Sequence, residues 1–136
     1  MRGTSRQRAG LTAIEATGIE AAAADPDRPA TVLDHVGDAT LVLWLLGSAV
    51  GRPAAIAAIH GPRLERLLEK LVDTPVRGFV YEAAGSVARE HLEAGARLVD
   101  QASARWRIPV RVVRESPGDP EAWGRAMLSA TRRLLG

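Results

Sequence analysis

Apolar and polar positions along the chain follow a helical spacing in some stretches and a strand-like one in others, and the two kinds alternate from end to end. Arg8 to Thr17 places Leu11, Ala13 and Ile14 on one side of a helix, with Gly18 set to end it. Ile19 to Ala24 reads as a short strand. Asp25-Pro26-Asp27-Arg28-Pro29 breaks it and opens a helix from Ala30 to His35, with Asp27 as its N-cap and Gly37-Asp38 as its end. Ala39 to Leu46 is a nearly unbroken apolar run, which predicts a strand covered on both faces at the centre of a sheet. Pro53 to Val72 carries Leu64, Leu67, Leu68 and Leu71 as one stripe opposite Arg63, Glu65, Arg66, Glu69 and Lys70, with a break or kink at Gly61-Pro62. Val76 to Glu82 is the next strand, Ala88 to Arg105 a long helix, and Ile108 to Arg114 a further strand. Asp119-Pro120-Glu121 puts a cap, a first-turn proline and an acid in the order that starts a helix, here Pro120 to Leu135.

Such alternation is the mark of βαβ units and predicts an α/β fold with a parallel sheet. At 136 residues, 46% of them hydrophobic, the chain suits one domain spanning 1–136. The longest apolar stretch, Ala39 to Val50, is interrupted by Gly47 and Ser48 and is shorter than the roughly 20 residues of a membrane-spanning helix. The start, Met-Arg-Gly-Thr-Ser-Arg, is polar and unlike a signal peptide. The absence of cysteine rules out disulfides, thiolate zinc sites and thiol nucleophiles. Together these predict a soluble cytoplasmic protein without a membrane partner. With 18 Lys+Arg against 16 Asp+Glu, the net charge of +2 is too small to suggest a nucleic-acid surface.

The strand ends carry a resemblance. Arg2-Gly3-Thr4-Ser5-Arg6, Ile19 to Asp25, Leu41 to Ser48 and Arg77 to Val87 are similar, in that order, to the ends of the second to fifth strands of the extended and atypical short-chain dehydrogenase/reductase families. The resemblance runs from Arg2 to about Val113. It implies a three-layer, doubly wound parallel sheet of Rossmann type that is incomplete at its amino end, and NADP or NAD as cofactor. Cofactor contacts would fall on Arg2, Thr4, Ser5, Arg6, Asp25, Gly47, Ser48 and Ala83. Two features of those families are missing from the sequence. No Gly-x-x-Gly-x-x-Gly loop joins a strand to a helix, and no Tyr-x-x-x-Lys follows the fifth strand, where Ala83-Ala84 also replaces the usual hydroxyl pair. Weak or lost cofactor binding and no dehydrogenase dyad are therefore expected, together with a gap or a new neighbour beside the strand from Thr40 to Leu46.

Each candidate residue has a functional and a plainer role. Arg2, Thr4, Ser5 and Arg6 would meet a 2′-phosphate, favouring NADP, or would be a solvated terminus. Asp25 would lie near an adenine or cap the following turn. Gly47 and Ser48 follow a buried strand, where a ribose approaches closely or where an ordinary turn sits. Glu82, at the end of an apolar strand, would act as a general base or pair with Arg77 or Arg89. His35, His60 and His91 lack metal-ligand spacing and suit helix surfaces or core edges. Trp44, Trp106 and Trp123 should pack on helices with each indole N–H on a carbonyl or water. Besides a nucleotide-binding domain, the sequence admits an interaction protein that pairs an exposed sheet edge with another subunit, including a second copy. It also admits, third in order, a small enzyme using Glu82 or Asp25.

Overall fold

The alternating segments become five strands and six helices in the computed structural model, which describes residues 1–136. In chain order they are β1 (Arg2–Ser5), α1 (Arg8–Ala16), β2 (Glu20–Ala23), α2 (Pro29–Leu33), β3 (Leu41–Trp44) and α3 (Pro53–Ile59). Then follow α4 (Pro62–Leu71), β4 (Gly78–Glu82), α5 (Arg89–Trp106), β5 (Val110–Val113) and α6 (Pro120–Leu135). The strands form two parallel sheets, β1–β2 and β3–β4–β5. Arg2 stands opposite Glu20 in the first; in the second, Trp44 stands opposite Tyr81 and Tyr81 opposite Val112. No helix is long and apolar enough to cross a membrane.

Side-chain alternation along β4 divides the core in two. Phe79 and Tyr81 point into a cluster with Trp44, Leu64, Leu67, Leu68, Leu71, Ala96 and Val99, so α4 and α5 cover that face. Val80 points the other way and packs with Val113, Met127 and Ala130, so α6 covers the opposite face. All five residues of β4 are buried. Burial of each of the four α4 leucines contributes about 1.5–3 kcal/mol, which fixes the face of α4 toward the sheet.

Helix boundaries follow backbone chemistry. The 53–72 segment is two helices, because Pro62 has no N–H to continue the first and Gly61 takes φ −135°, ψ −113°. Asp119 caps α6 as its sequence suggests, accepting the Ala122 N–H at 3.3 Å. Asp27 does not cap α2. The N-cap is Arg28, and the Asp27 N–H is itself bound to the Asp25 carboxylate at 2.9 Å.

The apolar run at β3 is not the centre of the sheet. β4 holds that place and β3 is an edge, with Leu43 40% and Leu45 42% exposed on the face that α6 covers further along. The unbroken run of apolar residues is therefore covered on one face only, by Trp44 and Val42 packing into the larger core.

Tight packing at Tyr81 gives a test of this core. Gly95 of α5 lies against the Tyr81 phenol, where an added Cβ would overlap the ring and its oxygen, whereas a Cβ at Gly124 of α6 meets nothing within 4 Å. Gly95→Ala should lower stability by about 1–3 kcal/mol despite its better helix propensity. Gly124→Ala should raise it by up to about 1 kcal/mol. Denaturant unfolding of both variants against the parent checks the pair.

Candidate functional site

The carboxyl ends of the parallel strands gather along one rim. β1 and β2 end side by side at Ser5 and Ala23, and just beyond them the Ala24 N–H donates to the Ser5 carbonyl at 3.1 Å. The loops after β3 and β4 interlock more closely. Val87 N–H donates to the Gly47 carbonyl at 2.9 Å and Ser86 N–H to Ser48 Oγ at 3.2 Å. Gly47 has to be glycine, because a Cβ there would overlap the Ala84 carbonyl oxygen, and Gly85 sits against Gly47 with φ +141°, a backbone few other residues adopt.

Glu82 is the polar group at the centre of this rim. It is 4% exposed, and its two carboxylate oxygens accept the Gly47 N–H at 2.8 Å and the Trp123 indole N–H at 2.7 Å. Neither Arg77 nor Arg89 pairs with it. A buried carboxylate needs such donors, and these two tie the β3 loop to α6 through the end of β4. The Trp123 indole thus finds a carboxylate and not a carbonyl or water, while Trp44 donates to the Ile59 carbonyl at 3.1 Å as a packed indole should.

Directly behind lies a second polar chain. The Tyr81 hydroxyl is 2.6 Å from His60 Nδ1, and His60 Nε2 is 2.9 Å from the Leu46 carbonyl. A carbonyl only accepts, so Nε2 carries the proton and Nδ1 accepts from the phenol. Burial, then the charges of Glu93 and Glu82, push the phenol well above its ordinary value of 10, which keeps it a donor. Burial pulls His60 below its ordinary 6.5 against the raising effect of the Leu46 carbonyl, and His91 lowers it further. Both side chains are buried, and they brace the end of β3 from inside. His60 is thus a core residue, not one at a helix surface or core edge.

The residues singled out for a cofactor separate into two groups. Ser5, Arg6, Asp25, Gly47, Ser48 and Ala83 lie at or just beyond the carboxyl ends of β1 to β4. Arg2 does not join them. It begins β1 and is held at the opposite end by Glu20 at 3.2 Å, Asp38 at 3.0 Å and the His35 carbonyl at 2.8 Å. Hydrogen bonds to Asp38 and Glu20 hold its guanidinium above its ordinary value, and the same contact holds the Asp38 carboxyl below the usual carboxylate range. Thr4 is exposed on β1. Ser5 Oγ accepts the Gln7 N–H at 3.2 Å, and the Asp25 carboxylate is occupied by the Asp27 N–H, as a turn cap would be. Arg6 is exposed and reaches the Val50 carbonyl at 3.5 Å, which leaves most of its donors free.

The connection from β1 to α1 is only Arg6-Gln7 and contains no glycine, so it is not a glycine-rich phosphate loop. Tyr81 and Lys70 are apart, one in the core and the other on the exposed side of α4. No family model matches the chain, and no curated protein matches it.

Two measurements probe this region. Glu82→Gln keeps the shape but offers one oxygen to two donors, so it should cost about 1–3 kcal/mol in denaturant unfolding and shift the Trp123 fluorescence. For His60, the unfolded chain takes up the proton first. Its contribution is complete above pH 6.5 and is lost as the pH falls through the lowered folded value. Stability should therefore decline as the pH falls below about 6.5, with a slope of at most ~1.4 kcal/mol per pH unit from this residue. His60→Gln, less stable at pH 7, should flatten that part of the profile; an unchanged slope would contradict the assignment.

Proposed function

We propose that the chain is the larger part of a dinucleotide-binding domain of the short-chain dehydrogenase/reductase type, holding all of the doubly wound sheet except its first strand, phosphate loop and helix. The observation that supports this reading is that all five strands are parallel and fall into two sheets, β1–β2 and β3–β4–β5. In this reading the two are halves of one sheet, with β1 and β3 on either side of the missing strand. Winding would then reverse at one point, and open α/β sheets bind ligands outside the carboxyl ends of their strands at such a point. One strand set between them would give the order β2, β1, added strand, β3, β4, β5, which is that of the doubly wound dinucleotide folds.

The rim chemistry suits NADP or NAD. Arg6 offers free donors to a phosphate, and Ser48 keeps a hydroxyl proton for a ribose. The pyrophosphate lacks its usual cradle, so affinity is low. Tyr81 and Lys70 form no dyad, so the role is binding and hydride transfer on the family plan does not follow. Titration calorimetry with NADP and NAD should give dissociation constants of about 1 mM or weaker for the 136-residue chain. A form extended at its amino end by a designed strand, Gly-x-x-Gly-x-x-Gly loop and helix should bind in the micromolar range. Submicromolar binding by the chain alone, or none by a folded extended form, would contradict the reading.

A second reading, an interaction protein, is favoured by one specific observation. Leu43 and Leu45 are exposed beside an unpaired strand edge.

A further inference from the structure

We infer that the cleft between α2 and α4 is a binding site for a small phosphate ester, held by Arg28, Arg63, Arg66 and Lys70. The site is separate from the dinucleotide rim, since none of Arg6, Gly47 and Ser48 lines this cleft. Three segments meet there: the loop after β2, the short helix α2 and one flank of α4. The space between them is about 440 Å³, within the range of about 300–1,000 Å³ of small-molecule sites.

Spacing along α4 sets the charge. Leu64, Leu67, Leu68 and Leu71 turn to the core, which leaves Arg63, Arg66 and Lys70, at i, i+3 and i+7, together on the flank that lines the cleft. Arg28 joins them from the loop, and the one carboxylate among the lining residues is Asp27. Four cations against one carboxylate leave an excess of three positive charges. Arg63 is the cation that Asp27 engages, its Nε donating at 3.1 Å. Arg66 has only Glu69, at 3.9 Å on its own helix, and neither Lys70 nor Arg28 has an ion-pair partner. Both pairs are exposed to solvent and exchange readily for a stronger anion. Like charges gathered without counter-charges repel one another, and a dianion among them relieves that repulsion.

The lining favours a phosphate ester over other anions. Guanidinium forks bind phosphate oxygens in pairs, and a lysine adds a compact charge. A phosphate monoester, with a charge of about −2, answers the excess better than a single carboxylate does. Pro29, Ala30 and Leu33 give the cleft an apolar wall for the organic part of the ester. The loop carrying Arg28 is fixed in advance, because Arg28 N–H donates to the Asp25 carbonyl at 2.9 Å and Asp25 N–H to Thr31 Oγ1 at 2.8 Å. Glu65 and Glu69, exposed on α4 beside the cleft, interrupt any longer basic stripe of the kind that a nucleic-acid backbone follows.

Titration of the chain with phenyl phosphate, followed by calorimetry and amide NMR, tests the inference. Submillimolar one-to-one binding is expected, with shifts confined to residues 28–33 and α4, and inorganic phosphate should bind several-fold more weakly. Arg66→Gln combined with Lys70→Gln should weaken binding by about tenfold or more, whereas Asp27→Asn, which releases Arg63, should strengthen it by about threefold. These side chains lie outside the core, so each variant should keep the parent circular dichroism. Arg125→Gln combined with Arg132→Gln, on the exposed face of α6, removes the same charge and should leave binding unchanged. Absence of saturable binding, an equal loss in the α6 pair, or a loss with Asp27→Asn would overturn the inference. Equal affinity for inorganic phosphate would overturn the ester in favour of the free ion. Tighter binding of a short single-stranded oligonucleotide at the same amides would overturn it in favour of a nucleic acid.

Discussion

Every strand in a parallel sheet has two rows of backbone donors and acceptors, and each row needs a partner or a cover. β4 meets that requirement on both sides, between β3 and β5, and under α4, α5 and α6 on its two faces. It is buried along its whole length, and the larger core is built on Phe79 and Tyr81. β1, β2, β3 and β5 each meet the requirement on one side only. Leu43 and Leu45 are exposed along the β3 edge, and Arg2 and Arg6 tie β1 to the segments before and after β3.

The rim at the ends of β3 and β4 is held in place from below. Glu82 takes one N–H from the Gly47 loop and one from Trp123, joining β3, β4 and α6 at a single carboxylate. His60 and Tyr81 support the same loop from the core through the Leu46 carbonyl. Charged hydrogen bonds in buried surroundings are costly to break and hard to rearrange, so this half of the rim is a rigid platform. Glu82 is therefore committed to structure, and its place at a strand end does not make it a base. The β1 half, held by exposed arginine contacts, is the looser side.

Much of the fold was legible in local sequence. The alternation of periods located β2 to β5 and the helices between them, because those signals depend on residues only a few positions apart, whereas β1 was marked only by the resemblance of Arg2 to Arg6 to a strand end. Gly61-Pro62 and Asp119-Pro120-Glu121 carried their boundaries in the chemistry of their own backbones. The position of β3 was not legible, since an apolar run reads the same whether its second face is covered or bare. Partners of Glu82 and His60 were hidden for a similar reason. Trp123 is 41 positions from Glu82 and Tyr81 is 21 from His60, and only the folded topology brings them together. The period of two along β4, which sets Phe79 and Tyr81 opposite Val80 and Glu82, was the one available clue. Of the candidate site, the strand-end loops could be read from glycine and polar residues after apolar runs. Arg2 could not be separated from Arg6, because which end of β1 each occupies depends on where that strand begins.

Residue-resolved amide hydrogen exchange on the isolated chain at low concentration tests the split sheet most directly. The amides of Phe79 and Ala83, which donate to the Pro109 and Val113 carbonyls across the β4–β5 ladder, should be among the slowest to exchange. Along β1 and β3, the alternate amides that face away from β2 and β4 should exchange near the unprotected rate while those facing β2 and β4 are slowed. Equal protection of both rows on β1 and β3 would contradict two separate sheets.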